Sequence, residues 1–249
     1  EEIPVITAAG VRLGFGGRMV LEGVDLRVPR GGRTALMGKN GCGKSVLLKC
    51  FAGLLSGYEG RITVDGRDQG AMDGGVGTGP SMAYVFQKGG LFDSMNVFDN
   101  VAFGLRRRGM REDRAGEIVN ESLARVGLAG SELKLPSELS GGMQKRVGLA
   151  RAICLDPDII LYDDPTAGLD PILSDSIADL ILEISDASSA TSVVVTHDLR
   201  LVAKVAREVA LLYDCRVGFH GDTESFFSKE DPFARQFIEG EIEGPIDIY

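Results

Sequence analysis

The fold of this chain is decided by the stretch Gly38-Lys39-Asn40-Gly41-Cys42-Gly43-Lys44-Ser45. It matches the pattern G-x-x-x-x-G-K-[ST] at every fixed position. A short apolar strand over 33–37 leads into it, and a helix from Lys44 to about residue 52 follows, ended by Gly53. Glycines let the backbone curl around an anion, so that successive N–H groups and the positive end of the helix face it. The stretch therefore predicts a phosphate-binding loop rather than a chance glycine turn.

Two side chains at the end of this loop have predicted roles of their own. Lys44 is expected to reach the β and γ phosphates of a nucleotide. The hydroxyl of Ser45 is expected to bind Mg²⁺, a hard cation that prefers oxygen ligands. The loop therefore predicts a nucleotide and a metal ion as its ligands.

Two adjacent carboxylates follow a second apolar strand. Residues 159–162 read Ile-Ile-Leu-Tyr and run directly into Asp163 and Asp164. Asp163, at the carboxyl end of the strand, is placed to hold Mg²⁺ through water. Asp164 is expected to point the other way and to polarise a water in line with the γ-phosphate. The alternative is that the two acids only close the strand with a turn.

Three further residues are candidates on weaker grounds. His197 comes directly after a strand over 192–196 and can donate to the γ-phosphate or hold the attacking water, although a single histidine is more often structural. Gln87 follows a strand over 82–86, where its amide can touch Mg²⁺ and the water. Phe15 can stack on adenine, although an aromatic side chain near a strand more often belongs to the core.

The order of the predicted elements indicates an α/β core that carries two smaller subdomains. Alternating apolar residues predict antiparallel strands before the phosphate loop, and an all-helical stretch over 97–136 interrupts the βα alternation that follows it. Further strands are predicted at 62–64, 159–162, 192–196 and 209–213, and a last helix from about 232 to 239. Gly70–Pro80 holds five glycines and is interpreted as a surface loop.

The composition excludes several classes of function. A length of 249 residues fits one large domain, and a net charge of −9 argues against a general nucleic-acid binder. No apolar run approaches the roughly 18–20 residues that a membrane helix needs, and the acidic first residues do not resemble a signal peptide. The four cysteines form no Cys-x-x-Cys pair, as expected of reduced thiols in a soluble intracellular protein.

Taken in order, the motifs resemble those of the nucleotide-binding subunits of ABC transporters, over essentially the whole chain. Phe15 matches the adenine-stacking position, Gln87 the Q-loop and His197 the switch histidine. The Walker A motif with its next residue matches Gly38, Lys39, Asn40, Gly41, Cys42, Gly43, Lys44, Ser45 and Val46, and Walker B matches Ile159 to Asp163. The signature matches Ser140, Gly141, Gly142, Met143 and Gln144, and the D-loop includes Gly168, Leu169 and Asp170.

The resemblance implies an α/β P-loop NTPase of the ABC type, one ATPase domain over 1–249. It implies a RecA-like core, an N-terminal antiparallel β subdomain, an inserted helical subdomain over about 97–150 and a C-terminal extension over about 231–249. ATP and Mg²⁺ are the implied cofactors. The implied catalytic residues are Asp164, His197 and Gln87, and the implied metal site is made of Ser45, Gln87 and Asp163.

In this family two subunits pack head to tail, and each ATP lies between the Walker A of one copy and the signature of the other. The signature residues suit this role, because Ser140 is a good N-cap and two glycines leave the first helical N–H groups uncovered. Such a helix end attracts the γ-phosphate held by a partner. The resemblance therefore implies a homodimer that closes on ATP and loosens after hydrolysis.

A narrower resemblance is to the Mla/Mkl-type ATPases, which work with MCE-domain proteins in lipid transport across the bacterial envelope. It rests on residues 86–103 and on the end of the chain, residues 233–245. It implies separate transmembrane permease subunits, an MCE-domain lipid-binding partner, no nucleic acid, and a place on the cytoplasmic face of the inner membrane. The alternative is the ATPase subunit of another ABC importer, for amino acids or organic solvents.

Two positions depart from the family pattern. Asp164 stands where the family usually has glutamate, which draws the carboxylate back by about 1.5 Å and predicts slow but real hydrolysis. The alternatives are a compensating backbone shift or an engineered change at this position. Val46 replaces the usual threonine, so that one hydroxyl contact to the α-phosphate is lost while the backbone contact remains. 

The segment after Gln87 is the expected docking surface for a permease. Its apolar residues Leu91, Phe92, Met95, Val97 and Phe98 can line a groove for a permease helix, or they can fill the helical subdomain's own core, which we expect for Val97. Residues 106–108 are three arginines, interpreted as a solvated helix end rather than a lipid contact.

Other P-loop functions fit less well. ABC proteins that act on DNA or ribosomes carry long coiled coils or two fused cassettes, and this sequence shows neither. A kinase or GTPase has no need of the signature, and a GTPase would want a guanine-reading Asn-Lys-x-Asp motif, which is absent.

Overall fold

The computed structural model describes residues 4–71 and 80–246 of the chain. The predicted loop Gly70–Pro80 therefore lies almost wholly outside the described residues. Within them, no helix combines the length and the apolar character needed to cross a bilayer.

The first layer is an antiparallel sheet with the strand order β2-β1-β4-β5. Its strands are β1 (Pro4–Phe15), β2 (Arg18–Pro29), β4 (Glu59–Val64) and β5 (Arg67–Asp68). Gly16 and Gly17 close the first hairpin with φ of 56° and 81°, the conformation that a two-residue hairpin turn requires. This sheet confirms the antiparallel strands predicted at the start of the chain.

The second layer is a six-stranded sheet with the order β10-β9-β3-β8-β7-β6. Its strands are β3 (Arg33–Met37), β6 (Met82–Val85), β7 (Ile159–Asp163), β8 (Thr191–Val195), β9 (Glu208–Tyr213) and β10 (Arg216–Asp222). The pairings from β6 to β9 are parallel, and all residues of β7 and β8 are buried, as expected of a parallel sheet covered on both faces. The carboxyl ends of β3, β7 and β8 therefore meet at one edge, where ligands bind in open α/β sheets.

Eight α-helices occur in the described part of the chain. They are α1 (Lys44–Phe51), α2 (Val97–Arg107), α3 (Glu112–Arg125), α4 (Gly141–Ile153), α5 (Pro171–Ala187), α6 (Leu199–Val205), α7 (Thr223–Ser228) and α8 (Pro232–Glu239). Helices α2, α3 and α4 share one core with α5 and part of the second sheet. The predicted boundary of the helical subdomain at about 150 falls inside α4.

Two elements near the end of the chain were missed by the sequence analysis. β10 pairs antiparallel with β9, and α7 follows it directly. The turn between the strands is Asp214-Cys215, with φ of 42° and 62°, and two non-glycine residues of this kind are a weak hairpin signal. Around Phe226 these elements form a separate small core with α8.

Two contacts fix the outer parts of the fold. The Glu22 amide of β2 donates to the Cys215 carbonyl at 2.7 Å, which joins the antiparallel sheet to the β9–β10 turn. On α8, the buried Gln236 amide donates to the Ile246 carbonyl at 2.9 Å and accepts from the Ile246 amide at 2.6 Å. Residues 241–246 are thereby folded back against α8.

The segment predicted to dock a permease is divided between core and surface. Val97 is fully buried, which confirms its expected place in the core, while Phe92 is 40% exposed. Arg106 is held by Asp99 and Glu112, so that part of the arginine run is already neutralised within the protein. 

Candidate nucleotide-binding site

The phosphate loop lies between β3 and α1 and depends on glycine at its two ends. A Cβ at Gly38 would lie 2.3 Å from the Leu212 carbonyl oxygen, and one at Gly43 would lie 2.7 Å from the Val20 carbonyl oxygen. Gly43 also has φ of 101° and directly precedes α1, with no side chain capping the helix. The first-turn N–H groups of α1 are therefore left for a ligand.

Lys44 lies at the centre of this loop. Its ammonium group donates to the carbonyl oxygens of Gly38 at 2.7 Å and Lys39 at 2.8 Å, and the residue is 8% exposed. A buried cation bonded to the loop's own carbonyls concentrates positive charge where the backbone N–H groups converge. The loop can therefore hold a polyphosphate by charge and by backbone donors together.

Ser45 and Asp163 meet at the carboxyl end of β7. The Ser45 hydroxyl donates to Asp163 Oδ1 at 2.6 Å, and the Tyr84 hydroxyl donates to Oδ2 of the same carboxylate at 2.8 Å. Asp163 is 7% exposed. Burial and the contact with Asp163 raise the pKa of Tyr84, so the phenol keeps the proton that it donates.

This oxygen pair fits a magnesium ion that keeps waters and phosphate oxygens as its other ligands. Mg²⁺ is usually held by one or two protein oxygens in nucleotide sites rather than by a full protein cage. The described residues contain no cluster of three or more His, Cys, Asp or Glu side chains able to hold a metal.

Asp164 follows Asp163 directly, at the carboxyl end of β7. Its φ is 49°, and its amide donates to the Val195 carbonyl at 2.9 Å. Its carboxylate Oδ2 lies 3.3 Å from His197 Nδ1, while Oδ1 is buried with no hydrogen-bond partner in the described structure. Burial raises the pKa of Asp164, and the charges of His197, Lys145 and Lys44 oppose that rise. A carboxylate with a raised pKa is a stronger proton acceptor.

A cavity of about 540 Å³ brings most of the predicted nucleotide-site residues together, although Gly38, Lys39, Cys42 and Asp163 do not appear in its wall. Its wall is made of Phe15, Val20, Asn40, Gly41, Gly43, Lys44, Ser45, Val46, Gln87, Asp164, Ala167, Val195 and His197. Phe15 is 50% exposed at the end of β1, so it is not a core residue. The cavity therefore has an aromatic end, a phosphate-binding centre, and an end with acid, amide and imidazole groups.

The signature residues lie elsewhere. Ser140 caps α4, because its Oγ accepts from the Met143 amide at 3.3 Å, and both Ser140 and Gly141 are exposed. Among the described residues that line the 540 Å³ cavity, neither appears. Gln144 donates to the Pro136 carbonyl at 2.9 Å and so faces its own subdomain. The exposed end of α4 therefore lies outside the 540 Å³ cavity of its own chain.

The D-loop begins the next helix beside this end of α4. Asp170 caps α5 by accepting from the amides of Ile172 and Leu173 at 2.9 and 3.0 Å, and Gly168 has φ of 74°. Gly168 and Leu169 share a second cavity with Gln87 and Gly141.

Two residues near the site were missed by the sequence analysis. Tyr84 lies on β6 opposite Leu161 of β7. The sequence signal that could have pointed to it was a tyrosine in the short strand before Gln87. Lys145 is buried on α4 and donates to the Gln87 carbonyl at 3.0 Å. A single lysine in a helical pattern gives no sequence signal for such a contact, because its partner is a backbone atom 58 residues away.

Comparison with known proteins identifies the family. A family model for ABC transporters matches residues 21–167. The chain belongs to the ABC transporter family. An ABC ATPase domain hydrolyses ATP, and the expected fold class and enzyme class are thereby confirmed.

Individual relatives agree with this assignment. The chain is 40% identical to the intermembrane phospholipid transport system ATP-binding protein MlaF of Escherichia coli strain K12, over 234 residues that make up 93% of this chain and 87% of MlaF. It is 40% identical to the probable ribonucleotide transport ATP-binding protein mkl of Mycobacterium tuberculosis strain H37Rv, over 246 residues, 98% of this chain and 68% of mkl. The similarity to Mla/Mkl-type ATPases is confirmed.

A solved structure supports the same fold. The dimeric post-hydrolysis state of the ATP-binding cassette MJ0796, bound to ADP and Pi, superimposes with a TM-score of 0.78 at 26% identity, covering 87% of this chain and 98% of the other. 

Proposed function

We propose that this chain is the ATP-hydrolysing subunit of an ABC system that moves phospholipids across the bacterial envelope. The observation that carries the proposal is the 40% identity to MlaF, whose name gives intermembrane phospholipid transport. The similarity runs over 93% of the chain and so includes the helical subdomain as well as the phosphate loop.

The residues of the site suit the chemistry of ATP hydrolysis. Loop amides and Lys44 hold the phosphates, and the Asp164 carboxylate is placed to accept a proton from the attacking water. His197 contacts that carboxylate and can hold it in position, or it can donate a hydrogen bond to the γ-phosphate. Ser45, Asp163 and Gln87 would hold Mg²⁺, which would neutralise phosphate charge during the reaction.

The arrangement favours a homodimer as the active unit. The exposed helix end at Ser140 and Gly141 offers N–H donors and a positive dipole, yet it lies outside the cavity of its own chain. A second copy packed head to tail would bring this end to the γ-phosphate. The related cassette MJ0796 has been solved as a dimer with ADP and Pi.

The permease would contact the helical subdomain. A surface cavity of about 480 Å³ is lined by Met95, Asp99, Phe103, Arg106 and Arg107, beside the exposed ring of Phe92. Its apolar floor and charged rim suit an amphipathic permease helix. Such docking would hold the chain on the cytoplasmic face of the inner membrane. An MCE-domain protein of the same system would take up or deliver the lipid.

Reconstitution of the complex tests this function. The chain is co-purified with its permease subunits, bound lipids are identified by mass spectrometry, and ATP-dependent transfer of labelled phospholipid between proteoliposomes is measured. Lys44→Ala is expected to abolish both turnover and transfer. Labelled ribonucleotides, amino acids and organic solvents are offered in parallel. ATP-dependent movement of one of these without phospholipid transfer would replace the proposed cargo.

The shared site has its own test. Ser140→Arg is expected to abolish turnover while monomeric ATP binding stays at the wild-type level, because the substitution blocks the partner's pocket and leaves the Walker A loop intact. Full activity of this variant would contradict the shared-site arrangement.

A further inference from the structure

The turn that follows β6 is held by side chains of α4. We call residues 87–90 the Q-loop turn. Lys145, which is 8% exposed, donates to the Gln87 carbonyl at 3.0 Å. Two turns further along α4, Arg151 donates to the carbonyls of Gly89 at 2.9 Å and Gly90 at 2.7 Å. Two cations of one helix therefore bind three carbonyls of one four-residue turn.

The backbone geometry is matched to these contacts. Gly148 lies on α4 between the two cations, and a Cβ there would lie 3.1 Å from the Gly89 carbonyl oxygen and 3.3 Å from the Gly89 Cα. Gly89 and Gly90 have φ of 73° and 58°. The Arg151 guanidinium also lies 5.8 Å from the centre of the Phe92 ring. The turn is thus packed so closely against the helix that a Cβ at Gly148 would force the Gly89 backbone to give way by a few tenths of an ångström.

Burial makes this attachment specific. A buried ammonium group is costly unless it is hydrogen-bonded, and the Gln87 carbonyl is the acceptor that Lys145 uses here, with the charge of Asp164 as a second stabilising neighbour. The same carbonyl belongs to the residue whose side chain lines the phosphate cavity. Lys145 is also only five residues, or about 7.5 Å of helix, from the exposed cap at Ser140.

We propose that Lys145 and Arg151 are positioning residues that make the Q-loop turn and the signature end of α4 move as one piece. A movement of α4 then shifts two groups at the same time: the Gln87 side chain at one ATP and the Ser140 end at the ATP of the partner. The inference rests on the proposed function in one respect, the delivery of Ser140 to the partner's nucleotide. The attachment itself lies within one chain.

The first test is a double-mutant cycle on ATP turnover in the permease complex. Lys145→Met removes the donor and keeps an apolar chain of similar length. It is expected to lower kcat by about 10- to 100-fold, with KM for ATP unchanged, because Gln87 is misplaced while the phosphate loop is intact. In a Gln87→Ala background, which keeps the carbonyl but has no amide to misplace, the same substitution is expected to cost less than about 3-fold.

A second variant separates positioning from stability. Gly148→Ala improves helix propensity, since alanine is the better helix former, yet its Cβ would displace Gly89. It is expected to lower kcat without lowering the melting temperature, again only while Gln87 is present. Arg146→Met is the matched control. Arg146 donates to the Val126 carbonyl at 2.7 Å, and among the described residues it makes no hydrogen bond to the Q-loop turn. Its effect on kcat is expected to be the same with and without Gln87.

Hydrogen exchange of the isolated full chain gives a readout that needs no turnover. Amides of residues 86–92 are expected to exchange at least about 10-fold faster in Lys145→Met and Gly148→Ala than in wild type or Arg146→Met. Wild-type exchange in both variants would overturn the inference, as would effects on kcat that are equal with and without Gln87. A wild-type complex without ATPase activity would instead contradict the proposed function, and the exchange result would then decide the inference.

Discussion

Replacing Asp164 by glutamate is expected to accelerate ATP hydrolysis. The change adds one methylene group and advances the carboxylate by about 1.5 Å. In the structure one carboxylate oxygen is 3.3 Å from His197 Nδ1, and the other is buried without a hydrogen-bond partner among the described residues. The side chain already lines the phosphate cavity, so we expect the added reach to bring the carboxylate closer to the attacking water. A misplacement of about 1 Å costs on the order of 100-fold in rate, which corresponds to about 2.7 kcal/mol of activation free energy.

The assay is steady-state phosphate release at saturating ATP and magnesium, with wild type, Asp164→Glu and Asp164→Asn compared in the permease complex. The glutamate variant is expected to be on the order of 100-fold faster than wild type, and the asparagine variant, which has the shape but no base, to fall to background. A glutamate variant that binds ATP normally and turns over no faster than wild type would refute the geometric reasoning.

The same substitution is expected to reduce stability. Asp164 has φ of 49°, a left-handed conformation that aspartate adopts more readily than glutamate. A cost of about 1 kcal/mol would lower the melting temperature by about 2–4 °C. An unchanged melting temperature would show that the backbone at this position carries no strain that depends on the side chain.

Three further substitutions test individual contacts. Tyr84→Phe removes the donor to the Asp163 carboxylate and is expected to raise the magnesium concentration for half-maximal turnover by about 10-fold, and an unchanged requirement would contradict that role. Gly43→Ala places a Cβ at 2.7 Å from a strand carbonyl and is expected to abolish ATP binding and cost about 1–3 kcal/mol of stability, measured by nucleotide titration and thermal melting. Gln236→Ala is expected to expose residues 241–246 to limited proteolysis while turnover persists, and equal protease resistance would show that other contacts hold the tail.

The parts of the site that the sequence predicted share one property. Gly38, Gly43, Lys44 and Ser45 lie within one short stretch, residues 38–45, so a local pattern predicts both their identities and their geometry. Asp163 and Asp164 end a strand that burial makes unambiguous. Such residues are predictable because a short motif and one neighbouring element fix their positions.

The parts that were missed depend on contacts between distant segments. Tyr84 reaches Asp163 only because β6 pairs with β7, and Lys145 reaches Gln87 only because α4 packs on the turn after β6. β10 was missed because its turn, at Cys215, lacks the glycine that usually marks a hairpin. A local sequence pattern does not specify which strands pair or which helices pack together.

The amide–carbonyl bond between Glu22 and Cys215 has a consequence for motion during the catalytic cycle. It links the sheet that carries Phe15 to the sheet that carries Asp163, and the two sheets also share one hydrophobic core, so we expect them to move together. We expect nucleotide exchange to come instead from movement of the helical subdomain or from separation of the two copies of the proposed homodimer. The distance between spin labels on the two sheets is expected to stay constant throughout turnover. The distance from either sheet to a label on α3 is expected to change.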